Sequence, residues 1–187
     1  MKTTKLEAVN RMLAGIGEAP VLSVDAQLPE VQQAITLLNQ VTREILSQGW
    51  NFNSDESFPV NPSSDGSVSV PGGALRVDAT NTLEDIVERN GKFYNRNTHS
   101  FTFDKPLSID IVWLFDFETL PFPVSHYIGV RAARRFQREM LGSSTMDKMT
   151  DEDEQRALVS LIEYETSTSD INLLTGNPEN LEATWRY

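Results

Sequence analysis

Leu6, Val9, Met12, Leu13 and Ile16 recur at steps of three and four residues, the spacing that collects side chains on one face of an α-helix. Thr4 and Glu7 precede that run at capping-box spacing, so each side chain can satisfy a free backbone N–H of the first turn. The predicted helix therefore begins at Thr4 and is ended by Gly15, Gly17 and Pro20. A longer stripe follows in Val31, Ala34, Ile35, Leu38, Val41, Thr42, Ile45 and Leu46, predicting a second helix from Pro29 to Gln48. Gly49 suits its C-terminal cap, and Trp50 and Phe52 are placed to pack back on the helix end.

From Asn51 to Phe117 the helical period gives way to short alternating runs punctuated by Pro59, Pro62, Gly66, Pro71, Gly72 and Gly73. Val68 with Val70, Leu75 with Val77, and Phe101 with Phe103 predict short strands, and Leu107 to Trp113 predicts a longer one. Ile86–Arg89 and Lys92–Tyr94 flank Asn90-Gly91, whose tolerance of positive φ makes the pair a strong hairpin signal. A small antiparallel sheet of four to six strands is expected.

Beyond Pro121 and Pro123 a third helix is predicted from Val124 to Leu141, stopped by Gly142. A fourth is predicted from Thr150, with Asp151, Glu152, Asp153 and Glu154 in its first turn and an apolar stripe of Ala157, Leu158, Leu161 and Ile162. Periodicity then fades into an extended tail carrying Leu173, Leu174, Leu181, Trp185 and Tyr187. The expected fold class is α+β. Residues 1–50 and 121–170 would form a four-helix bundle, residues 51–120 an inserted small antiparallel β domain, and residues 171–187 an extended C-terminal tail.

Composition narrows the chemistry. Cysteine is absent, which removes disulfides, thiolate metal sites and cysteine nucleophiles. No run reaches the roughly 18 to 20 apolar residues that cross a bilayer, and the first residues hold no apolar run fit for a signal peptide, so a soluble chain made in a cytoplasm is expected. A formal net charge of −11 opposes general binding to nucleic acid, which requires basic side chains to displace counterions from phosphates.

Catalytic constellations are thin. His126 adjoins Ser125, but adjacent side chains diverge, so the two cannot act as base and nucleophile on each other. Asp116 and Glu118, near Trp113, Phe115 and Phe117, are the best carboxylate pair for a glycan hydrolase, against the plainer reading of acids at a strand end. Asp147, Asp151 and Asp153 fail the calcium-loop pattern, because Arg156 and Ile162 stand where Gly and Glu are needed. No cofactor or metal site is expected.

One feature is more specific. Arg131, Arg134, Arg135 and Arg138 follow each other at i, i+3, i+4 and i+7, a single basic face, with Gly129, Ala132, Ala133, Phe136 and Met140 opposite. Those arginines either pair within the chain, with acids such as Asp151, Glu152, Asp153 and Glu154, or meet an acidic patch on another subunit. Contact with DNA is a third option that the overall acidity disfavours. The apolar residues of the tail either fold back or dock on a partner, docking being favoured.

Three segments then carry a resemblance. "AVNRMLAGIGEAPV" with "ILSQGWNFN", "DIVWLFDFETLPFPVSHYIGVRAARRFQREMLGS" and "DEDEQRALVSLIEYE" occur in an order that resembles the tail tubular protein A family, the head-to-tail adaptors or gatekeepers of short-tailed bacteriophages of the autographivirus type. The similarity spans about residues 6–175, and the segment from Asp55 to Phe101 carries least of it. The resemblance implies a structural virion protein of the tail that forms a ring of twelve copies beneath the portal protein. The helical part would face the portal, and the β part would face the nozzle protein, tail tubular protein B, and the tail fibre protein. Genomic DNA would pass through the lumen without specific binding.

Overall fold

The computed structural model describes residues 3–80, 85–142 and 144–168, with backbone only for 144–149. Four helices and five strands follow in the order α1 (Lys5–Gly15), α2 (Pro29–Leu46), β1 (Ser54–Val60), β2 (Ala74–Ala79), β3 (Ile86–Arg89), β4 (Lys92–Asn95), β5 (Leu107–Trp113), α3 (Phe122–Leu141) and α4 (Ser144–Thr168). The fold is mixed helix and sheet. The tail residues Leu173, Leu174, Leu181, Trp185 and Tyr187 lie outside the described residues. No described helix is long and apolar enough to cross a membrane.

The helical core is gathered around α3, which packs on α1, α2 and α4. Met12, Leu13, Leu38, Leu46, Ile128, Phe136 and Leu161 are among its most deeply buried side chains. α1 and α2 contribute the stripes their periodicity foretells, since burying one apolar face is the main gain available to a helix in water. At the start of α1, Glu7 N–H donates to Thr4 Oγ1 at 3.1 Å and Thr4 N–H donates to Glu7 Oε2 at 2.8 Å, a complete capping box. α2 ends at Leu46, two residues short of the expectation, and Trp50 does pack back: its indole Nε1 donates to the Ile45 carbonyl at 2.8 Å. Gly142 terminates α3 in the left-handed conformation.

α4 departs from its expectation twice. It starts at Ser144 rather than Thr150, so Asp151 to Glu154 lie beyond the first turn and lose most of the dipole advantage. Its inward stripe is Glu154, Ala157 and Leu161, while Ile162 is 48% exposed. The reason is geometric: α4 lies against α3 and a 3-10 turn, Asn51–Asn53, so only a narrow strip of it is covered.

The strands form two antiparallel sheets rather than one, of order β1-β5-β2 and β3-β4. β5 is central because its alternation places Leu107, Ile109 and Ile111 in a second core with Val60, Val68, Ile86 and Phe93. β1 went unpredicted. Its sequence is acidic, contains Pro59, and bulges between Asp55 and Phe58 with Ser57 at φ 56°, all features of an edge strand. Val68 with Val70, between Gly66 and Pro71, and Phe101 with Phe103 are not strands: single bridges such as Ser67 to Thr102 and Ser69 to Lys92 hold them. The Asn90-Gly91 hairpin forms as read, with both residues at positive φ.

Just past the end of α2, Gly49 comes close to β2 and β5. Its φ is +78°, and an added Cβ would stand 2.9 Å from Arg76 Nη2 and 3.2 Å from Val112 Cγ2. Gly49→Ala is expected to cost about 1–2 kcal/mol from the left-handed backbone, plus whatever the Val112 methyl must yield. Thermal unfolding of the variant, set beside a neutral exposed substitution such as Gln48→Ala, measures it.

Candidate assembly interface

The basic face of α3 is continuous because arginine is a good helix former and the i, i+3, i+4, i+7 spacing keeps the four side chains aligned. The opposite face carries Gly129, Ala132 and Phe136 into the core, with Gly129 beside Ala8 of α1. Ala133 is half-buried and Met140 is exposed. With one face committed to α1 and the core, the arginines are directed to the flanks, where α2 and α4 supply acids.

Arg131 bridges both neighbours: Nη2 lies 2.8 Å from Glu44 Oε1 on α2, and Nη1 lies 2.9 Å from Glu154 Oε1 on α4. Arg135 Nη1 reaches the other Glu44 oxygen at 2.7 Å. Arg134 pairs with Asp151, and with Glu154 Oε2 at 3.0 Å. Arg131 Nη1 also donates to the Tyr127 hydroxyl at 3.3 Å. Glu154 is 8% exposed, a depth at which an ionised carboxylate requires partners. Three arginines of the face are thus engaged inside their own chain, along with Asp151 and Glu154. Arg138 is exposed and forms no ion pair with a described residue. Glu152 and Asp153 are exposed and pair loosely with Arg156 on their own helix, contacts of small value.

Sequence reasoning missed Glu44, which carries two of these arginines from a helix read only for its apolar stripe. An acid at i+3 from Val41 on an otherwise amphipathic helix gives no signal until the packing partner is known. Hydrogen bonding from Arg131 holds the Glu44 carboxyl below its ordinary value of 4.5, against the opposing effect of burial. A depressed carboxyl favours the folded state wherever it is ionised. Its contribution is full above about pH 4.5 and lost as pH falls through the lowered value. The thermal midpoint is therefore expected to drop on acidification below pH 4.5, and to drop less in Glu44→Gln, as circular dichroism melts across that range would read.

The other candidate acids are tied into the fold. Asp116 accepts a hydrogen bond from Lys5 Nζ at 2.9 Å and another from the Glu118 N–H at 3.1 Å, while Glu118 Oε1 accepts from the Lys5 N–H at 3.3 Å. The Lys5 contact leads in holding the Asp116 carboxyl below the usual range, the opposite of what a general acid for glycoside cleavage requires. Ser125 is fully buried and its Oγ donates to the Phe122 carbonyl at 3.2 Å. His126 stacks on Phe122 with ring centroids 5.4 Å apart, and burial pushes its pKa down.

The ionised side chains gathered on α3 thus brace the chain's own helices within a mixed fold of helix and sheet. Comparison with known proteins identifies the kind of protein: the tail tubular protein family matches residues 6–171, and the chain belongs to that family. It is 28% identical over 161 residues to Tail tubular protein A of Klebsiella phage KP34, an alignment covering 86% of each chain. It is a component of the bacteriophage virion tail.

Proposed function

We propose that the chain is a head-to-tail adaptor, assembling as a ring, of twelve copies by the family resemblance, between the portal and the tail nozzle. Residues 1–50 and 121–170 act as a four-helix bundle facing the portal and neighbouring subunits. Residues 51–120 face the nozzle protein and tail fibres, and residues 171–187 dock on a partner. The ring encloses the channel through which the genome passes, and the chain performs no chemistry of its own.

The observation that carries this reading is where the charge goes. Three of the four α3 arginines are neutralised by acids of their own chain, so that face adds little positive charge to a molecule whose formal net charge is −11. An acidic ring repels DNA along its lumen and lets it slide. A closed ring needs two different faces of one subunit to meet. Arg138 on one side and Glu152 with Asp153 on the other are the members of the charged face left free enough for such contacts.

Mixing the purified protein with portal rings and imaging the products tests the reading. A ring seated on the portal is expected, weakened by Arg138→Glu. A chain that never associates with portal at any concentration refutes it.

A further inference from the structure

α1 and α4 both pack on α3, and between them a groove opens that holds a cavity of about 500 Å3. Its lining is small and apolar where the three helices come together, with Gly15 on α1, Val130 and Ala133 on α3, and Ala157 on α4. His126 and Gln137 line it further along α3 in either direction. Gln137 Nε2 donates to the Gly15 carbonyl at 3.1 Å, which ties α3 to the end of α1. Arg11, on the α1 side, is exposed and forms no ion pair with a described residue. It stands close enough to His126 that its charge adds to burial in holding that imidazole's pKa down. Across the groove, Arg156 is engaged only by its loose contacts with Glu152 and Asp153.

The sequence beyond α4 carries a pattern that fits this groove. Asn177 and Pro178 are the residue types that cap and open a helix, and Glu179 follows where a first turn favours an acid. In a helix from Pro178 to Tyr187, Leu181 and Trp185 stand one turn apart on a single edge, and Glu182 flanks them. So short a helix is marginal alone in water and needs a surface that covers its apolar edge. It would be about 15 Å long, against about 16 Å along α3 from His126 to Gln137.

We propose that in the isolated chain the segment Pro178–Tyr187 seats as a helix in the α1–α4 groove of its own molecule. Leu181 and Trp185 lie over Ala133 and Ala157, whose small side chains leave room for them, and Glu182 turns toward Arg11. The tether permits it. Ser160, on the α4 wall, is one turn and a half of helix or more before Thr168, a distance of about 12 Å. Residues 169–177 span up to about 30 Å when extended, enough to turn back along α4. A segment held on so short a tether reaches an effective concentration on the order of millimolar, which favours its own groove over that of a second copy. Docking of the tail on a partner then begins with its release from this groove. The contact belongs to the chain before assembly and holds whether or not a ring forms.

Because the chain has no cysteine, Ala183→Cys accepts a nitroxide label at one place, on the side of the helix away from Leu181 and Trp185. Paramagnetic broadening of the full chain's amide signals then reports where the tail lies. It is expected to be strongest at Arg11, Ala133 and Ala157, and weakest at Gln33, Thr36 and Gln40 of α2, which line a different groove. A mixture of nitroxide-bearing chain with isotope-labelled chain lacking the nitroxide is expected to show none. Leu181→Ser, in the tail, and Arg11→Glu, an exposed change, are each expected to reduce the broadening several-fold. Broadening that is even over the surface, that centres elsewhere, that is as strong in the mixture, or that either change leaves intact overturns the proposal.

Discussion

Glu154→Ala is expected to loosen α4 from the rest of the molecule and to lower stability by roughly 3 kcal/mol, the scale found when one partner of a buried ion pair is removed. One carboxylate serves two arginines here, with Oε1 on Arg131 and Oε2 on Arg134. Its loss takes one partner from each of two guanidiniums that are 30% and 18% exposed. Asp151 still meets Arg134, and Glu44 still meets Arg131, so the cost stays below that of two isolated buried charges. The effect should be local first. α4 packs chiefly on α3, and Ala157 and Leu161 are its fully buried apolar anchors. Amide exchange is therefore expected to rise along Asp151–Leu161 well before it rises in α2. Glu154→Gln, which keeps the shape and one acceptor, should lose less. Equal exchange in α2 and α4, or an unchanged melting temperature, would show that the ion pairs contribute little to holding α4.

Asn53→Ala is expected to cost about 3 kcal/mol, since each buried backbone group deprived of its partner costs on the order of 1–3 kcal/mol. Asn53 is 1% exposed and joins the two halves of the molecule. Its Nδ2 donates to the Leu46 carbonyl at the end of α2 at 2.9 Å and to the Trp113 carbonyl at the end of β5 at 2.8 Å. Its Oδ1 accepts from the Trp50 N–H at 2.8 Å. Asn53→Asp should be nearly as harmful, because a carboxylate keeps the Trp50 contact but faces two carbonyl oxygens with no proton to offer. A melt showing both variants within 0.5 kcal/mol of wild type, on the scale of an ordinary surface change, would mean the joint is held by packing alone.

Asn53 also marks where the letters stop being informative. Nothing in "GWNFN" distinguishes a buried asparagine that welds helix to sheet from a polar loop residue, because its acceptors come from Leu46 and, sixty residues later, Trp113. Glu44 was unreadable for the same reason. The arginine face, by contrast, was legible as a face, since i, i+3, i+4 and i+7 spacing is a local property. Its partners were not, and the readings left open were an intrachain pairing, an intersubunit pairing and, disfavoured by the overall acidity, contact with DNA. The structure brings Arg131, Arg134 and Arg135 onto acids of their own chain and leaves Arg138 outside that arrangement.

The helices α1, α2 and α3, the Asn90-Gly91 hairpin and the long strand β5 were determined locally, by period, capping box, turn residues and glycine stops. Each of those signals acts within a few residues and is felt before any tertiary contact exists. The start of α4, the burial of Glu154 in place of Ile162, the edge strand β1 and the division into two sheets were decided only by packing. In each case the favourable term is a contact between segments far apart in the chain, and no local pattern encodes which distant surface will arrive to make it.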